Sequence, residues 1–599
     1  MKHLHTFASA IAIALTAASP AAQAAPSPAS AGVNIPAAQA FGRLSKDYLD
    51  ALTRLDPVGA TTLGDHRYDA LLPDLSATGE NSQNTVWRAL LERLGAIPRA
   101  QLSPEDQVDY LLLDNDLRYR LWDSETLHSS TWNVQIWNDC AASALYGLAA
   151  RDFAPWDVRL KAATLRMEAI PALLAESRRR LVPARVPKAY AETVSQQNSG
   201  ITEIAEGMLA PHADALTGTD RTRFDAALEG LKKAVAEQQE WLDKTLVPQA
   251  AGDFRLGARL YDEKMKFVLM SNLTRSELKA SALKAKADAR AEMYQLSRKV
   301  LVGKPGAPSL PASPTDAQQQ AAIEAALAIT YEHRPARDEL ESAARAAVTQ
   351  ATDFVRAKGF VTMPDGPVRV ITMPKFQQGN AVAYDDPPGA LEKGQQNFFA
   401  ISPVPANWSD AQATSFLSEY NTYMIQDVSI HEAVPGHYLQ LDHANHSPSV
   451  LRSVLWSSPF AEGWAVYSEG LMKDEGYLNG DPLFALTVLK LRLRSITNTL
   501  LDIGIHTEGM TREQAMDLMM KGAFQQEREA AGKWTRAQLS SAQLLSYFTG
   551  YAEHTALRAE AEQRWGKDFN LRRYNDSVLA HGTPPVKFAR ELMFGLPVE

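Results

Sequence analysis

The chain has 599 residues, 45% hydrophobic and 22% charged, and its 61 Lys+Arg against 70 Asp+Glu leave a formal charge of −9. That balance suits a globular protein and gives no sign of the basic surface that nucleic-acid binding needs, so no nucleic-acid partner is expected. One cysteine, Cys140, excludes an intramolecular disulfide and is expected to be a buried small hydrophobe.

The N-terminus reads as a targeting segment. Lys2, the apolar run FASAIAIALTAA and Ala22-Gln23-Ala24 make a signal peptide over 1–24, cleaved after Ala24. The run is too short to span a membrane, and no cysteine sits near the cleavage site, so a periplasmic or secreted protein without a stable membrane anchor is expected. Residues 25–38 (APSPASAGVNIPAA) read as a flexible linker.

From 39 to 599 the pattern is that of one large helical domain. The N-terminal half, about 39–301, carries apolar residues at helical spacings, as in AFGRLSKDYLDALTRL and VDYLLLDNDLRYRLW. Thr274-x-x-Glu277 has the spacing of a capping box. A Pro-rich loop over about 302–315 leads into the C-terminal half, about 316–599. There GPVRVITMP, NAVAYDDP and QNFFAISP predict a small antiparallel sheet. A helix capped by Ser409 and Gln412 then runs through SFLSEYNTYMIQDVSI into His431. Later helices are expected at about 456–475, 482–500, 511–530, 538–564 and 583–595.

The stretch HEAVPGHYLQ, 431–440, carries the chemistry. Two imidazoles on one zinc ion must bring their nitrogens to about 3–4 Å of each other, given bonds of roughly 2.0–2.1 Å. On a straight helix, positions i and i+6 lie about 240° apart, so His431 and His437 do not share a metal there. Pro435 lacks an N–H and disfavours helix at Val434, while Gly436 opens backbone angles closed to other residues. Together they permit a break that swings His437 back. A catalytic zinc needs a third protein ligand, and AEGWAVYSEG offers Glu462. Glu469 lies on the same helical face, and Asp427 shares a face with His431; both are candidates to orient a ligand from behind.

HEAVPGHYLQ, EGWAVYSEGL, LDIGIHTEGMTREQA and the C-terminal SYFTG…LR…F…GTPP resemble the bacterial family catalogued as domain of unknown function 885, as does the N-terminal LDPVGATTLGDHRYDALLPDLS. The resemblance implies a mainly α, zinc-metallopeptidase-like fold with a deep cleft, akin to gluzincins such as angiotensin-converting enzyme and the thermostable carboxypeptidases. It maps His431, His437 and Glu462 onto zinc ligands and Glu432 onto the general base. This chain keeps Arg536, Gln543, Ser546 and Tyr547 but lacks the Pro-Gly many members carry there, and has Asn575 where many have histidine.

The expected chemistry is hydrolysis by metal-activated water, with Glu432 moving the proton. Tyr547 is the leading oxyanion donor and His506 the next. Arg494 and Arg536 are candidates to bind a substrate carboxylate. A short peptide is the expected substrate, cut in carboxypeptidase or dipeptidase fashion. The residues leave open a zinc amidohydrolase acting on a non-peptide amide, and a non-catalytic peptide-binding protein with a structural metal.

Overall fold

The computed structural model describes residues 35–599 except 375, 376, 379–381 and 393. The expected signal peptide lies outside the described residues. The first helix, Ile35–Leu55, begins inside the stretch read as linker, with Pro36 in its first turn, where a missing N–H costs nothing.

Helix dominates because caps and periodicity agree. Thr274 with Glu277 and Ser409 with Gln412 form the reciprocal capping boxes that their spacing predicts. The segment expected to run unbroken into His431 is two helices, Asp410–Glu419 and Thr422–Glu432. Asn421 divides them, its side chain accepting the Tyr423 and Met424 N–H groups. Likewise 511–530 separates into Arg512–Ala523 and Glu527–Gln538, the first ending on Phe524 in the left-handed region (φ 57°).

The small sheet is mixed, not antiparallel as the sequence suggested. Strands β1 (Arg369–Thr372), β2 (Ala383–Asp386) and β3 (Phe398–Ile401) lie in the order β1-β3-β2. β3 pairs parallel with β1 and antiparallel with β2. The apolar FFAI strand takes the centre, where Phe399, Ala400 and Ile401 are buried, and leaves the more polar β2 on an edge.

Two helix pairs frame the C-terminal half. Arg275–Leu301 lies along Pro482–Thr507, and Ser458–Asp474 lies along Leu545–Trp565. In the second pair the backbones touch. A Cβ on Gly463 would sit 2.2 Å from the Gly550 carbonyl carbon, and one on Gly550 1.7 Å from the Pro459 oxygen. The N-terminal half grips the C-terminal half through polar contacts, including a buried Arg452–Asp109 pair at 2.8 Å and a Leu391 N–H donating to Leu63 O at 2.7 Å. Cys140 sits half-buried in the helix Gln135–Ala149, where burial pushes its thiol up to about 12. Among the described residues no helix is long and apolar enough to cross a membrane.

Candidate metal centre and active site

The helix carrying His431 stops at Glu432, and a new one starts at His437. Between them Ala433 leaves helical geometry (φ −118°, ψ −89°) and Val434-Pro435 is a cis peptide. The chain doubles back so tightly that Gly436 N–H donates to Ile430 O at 3.0 Å. A Cβ on Gly436 would lie 1.9 Å from His431 O, so glycine is required by space. Trp464 Nε1–H and Ser468 Oγ–H both donate to the Pro435 carbonyl, at 2.8 and 3.3 Å. The EGWAVYSEG helix therefore holds the break as well as supplying Glu462.

The fold unites the residues that a straight helix would keep apart. The His431 and His437 rings stand 4.8 Å apart and perpendicular (90°). Glu462 Oε2 lies 3.6 Å from His431 Nε2 and 3.4 Å from His437 Nε2. These separations match those between ligands of one tetrahedral ion, about 3–4 Å for bonds of roughly 2.0–2.1 Å. Glu462 Oε2 is buried and has no hydrogen-bond partner among the described residues, an arrangement that costs free energy unless something fills the space. Burial acts to raise the Glu462 carboxyl, but the two imidazoles against it hold it below the usual carboxylate range. The pocket thus keeps an anionic oxygen aimed at the point all three donors face.

Glu469 takes the position predicted behind His431. Its Oε1 lies 2.7 Å from Nδ1; the tautomer that donates Nδ1–H to it leaves the Nε2 lone pair facing Glu462. Asp427 is fully buried beside it, with both carboxylate oxygens unpartnered among the described residues. Burial, then the Glu469 charge, pushes its carboxyl well above the usual range.

The donors open onto a cavity of about 970 Å³ that Glu432, Arg494, Arg536 and Tyr547 also line. Tyr547 Oη accepts from Arg536 Nη2 at 3.2 Å. Burial and the nearby Glu462 charge raise the phenol, so Tyr547 stays a protonated donor. Arg494 is not free for substrate: it pairs with Glu529 and donates to Tyr420 Oη at 3.3 Å.

His506 does not join the site. It is buried behind it, with Nε2 2.8 Å from Ser540 O and 3.2 Å from Ala537 O and its ring stacked on Tyr261. One turn earlier, Asp502 accepts the Ala542 and Leu544 N–H groups at 3.2 and 3.0 Å. The LDIGIH segment therefore clamps the loop that launches the Tyr547 helix, and its i, i+4 Asp–His pair was a legible signal. Asn575 is also away from the cavity, donating to Phe360 O and accepting from Tyr467 Oη. Asp385, Glu529 and Lys533 are among the cavity residues that escaped sequence reasoning. Asp385 of β2 is close enough to Glu432 for the two charges to interact. Lys533 lies one helical turn from Arg536.

Burial pulls both His506 and His554 down to about 4. Such groups stay neutral in the folded chain and take up protons on unfolding. Their contribution is complete above the unfolded value of about 6.5 and is lost as pH falls towards 4. Thermal unfolding across pH 7 to 4 is expected to show a shallower loss of Tm for His506→Gln than for the wild type. Asp502, pushed up to about 7 by burial, acts in the opposite sense in both proteins. Equal slopes would mean that His506 titrates alike folded and unfolded.

The match that places the chain covers residues 57–593 and is to the family described as bacterial protein of unknown function (DUF885). The chain belongs to that family. A structure from Shewanella oneidensis, described as a "putative lipoprotein of unknown function", is 33% identical, with a TM-score of 0.76 over 92% of this chain and 99% of that one. A "putative lipoprotein" from Colwellia psychrerythraea shares the fold at 16% identity, with a TM-score of 0.74 over 94% and 99% of the two chains. No curated protein matches the chain significantly.

Proposed function

We propose that this DUF885 member is an exported zinc hydrolase that cuts peptide bonds in short peptides, as a carboxypeptidase or dipeptidase. One observation carries the reading: the orphaned, buried Glu462 Oε2 faces two imidazole nitrogens at 3.4 and 3.6 Å, with a further carboxylate, Glu432, on the same cavity wall. Two imidazoles and one carboxylate suit zinc, and leave a coordination position for chemistry. The relation to gluzincin peptidases rests on this donor set and its motifs. Export is supported by the N-terminal pattern and by the description of both similar structures as lipoproteins.

A zinc ion held by His431, His437 and Glu462 supplies Lewis acidity towards a scissile carbonyl and towards water. Glu432 takes the proton of the attacking water and passes it to the leaving amine. Tyr547 donates its phenol O–H to the oxygen on which charge develops, held in place by Arg536. Strand β2, on the sheet edge and lining the cavity, suits pairing with an extended peptide.

Elemental analysis of the purified protein is expected to find one zinc per chain, and a peptide-library digest to show metal-dependent cleavage. Absence of any transition metal, with full activity in excess chelator, ends this reading. Intact peptides alongside cleavage of a non-peptide amide would reassign the substrate. Tyr547→Phe is expected to lower turnover by about a hundredfold while zinc content and the Michaelis constant hold, since the donor acts mainly in the transition state. Full activity in that variant removes Tyr547 from the mechanism.

A further inference from the structure

The cavity is electrically lopsided. Around the proposed metal site it carries Glu462 and Glu432 with Asp385 nearby; another stretch of its lining is the helix Glu527–Gln538. Glu529, Lys533 and Arg536 recur there at i, i+4 and i+7, and so project from one face. Arg494 reaches the same place from Pro482–Thr507. The single carboxylate of this group is already used, since Glu529 pairs with Arg494 and accepts Tyr420 O–H at 2.8 Å. Lys533 has no hydrogen bond or ion pair among the described residues, although only 6% of it is exposed. Arg536 reaches no carboxylate either among the described residues; it donates to the neutral Tyr547. Gly532, beside Lys533, would place a Cβ in open space, so bare backbone faces the cavity there.

A largely buried amine without an acceptor is costly to protonate. Burial, then the Arg494 and Arg536 charges, drives the Lys533 amine well below its usual range, with Glu529 and Glu462 opposing. An arriving anion reverses that balance by supplying the missing acceptor. The position also matters. Arg536 touches Tyr547, and Lys533, Arg536 and Tyr547 all feel the charge of Glu462, so an anion at Lys533 is seated near the proposed metal donors.

We propose that Lys533 and Arg536 form a carboxylate-binding subsite that anchors the end of the substrate, so that the enzyme recognises short peptides by a free carboxylate next to the bond it cuts. This rests on the peptidase reading and narrows it to the carboxypeptidase or dipeptidase direction. It also moves the anchoring role from Arg494, which is neutralised by Glu529, to Lys533. The carboxylate has two sources, the peptide C-terminus and an acidic side chain at the last residue.

Full-length Glu432→Gln protein, loaded with zinc, allows binding to be measured by calorimetry without turnover. Tri-alanine as the free acid is compared with its C-terminal amide, and with the amide of a peptide ending in aspartate. The free acid is expected to bind at least about tenfold more tightly than tri-alanine amide, the value of a charge-assisted contact. Lys533→Met in the same background is expected to abolish that preference, with Tm unchanged or raised because a buried unpaired amine is gone. Binding of the acid is also expected to take up protons, read as a dependence of the heat on buffer ionisation, and Lys533→Met is expected to remove the uptake. If the aspartate amide binds as well as the free acid, the subsite stands and its ligand is any terminal-residue carboxylate. Equal binding of the acid and the plain amide, or a preference that survives Lys533→Met, overturns the proposal. Acid-selective binding in a protein that cleaves no peptide would instead refute the hydrolase reading and leave the subsite in place.

Discussion

Glu432→Gln is expected to keep the metal and the fold and to lose nearly all turnover, about 10²–10⁴-fold by the usual worth of a positioned base. Glutamine fills the same space at the end of the helix Thr422–Glu432 but has no basic oxygen to accept the proton. Glu432 is next in sequence to His431, so its backbone is fixed together with that of a proposed metal ligand, while its side chain opens onto the cavity. The informative comparison is single-turnover hydrolysis beside zinc content and Tm. A variant that binds zinc, melts as the wild type does and still turns over at the wild-type rate would remove Glu432 from the role of base.

The second large effect is expected at a residue with no chemistry of its own. Gly436→Ala places a methyl 1.9 Å from His431 O and 2.3 Å from Ile430 O, both main-chain atoms that do not rotate away. The relief available is to open the doubled-back turn, and that carries His437 away from His431. Zinc affinity is expected to fall by at least the 10–100-fold typical of losing a ligand's support, about 10²-fold as a working figure. Chelator competition measures it. Pro435→Ala with Gly436→Ala is expected to go further in the same direction, because alanines favour straight helix through the gap. Thermal unfolding separates this from collapse, since Trp464 and Ser468 still hold the turn from outside. Wild-type zinc affinity in Gly436→Ala would mean that packing around the turn, and not its own backbone, sets the position of His437.

Much of this site was legible because its signals are local. His431, Glu432, His437 and Glu462 sit in short motifs whose residue types have few other uses, and the interruption by Pro435-Gly436 announced that the first helix ends. Glu469 was legible from helical periodicity alone, and the structure places it 2.7 Å from His431 Nδ1. What the sequence hid was long-range. Nothing near Arg494 shows that Glu529 neutralises it, because the two lie on different helices. His506 looked chemical since histidine usually is, and only tertiary packing puts it against Ser540 O and Tyr261. The parallel pairing of β1 with β3 was similarly invisible, as strand patterns specify faces and not neighbours. The division at Asn421 lay in plain view as a helix-capping residue, inside a pattern that otherwise reads as continuous.

The main-chain contact between Gly463 and Gly550 acts as a caliper. Glu462 is the residue before one glycine, and Tyr547 lies one turn before the other, so the jaws that close at this point carry a carboxylate on one side and a phenol on the other. No side chain intervenes to be swapped for a longer or shorter one. The separation of the two helices beneath Glu462 and Tyr547 is thereby set by main-chain contact, which does not drift with the surrounding side chains. Reach across a scissile bond tolerates little error, since displacements near 1 Å can cost about a hundredfold in rate. Any side chain at either glycine would widen the jaws by about that much, and so would detune the proposed reaction without altering one group assigned a part in it.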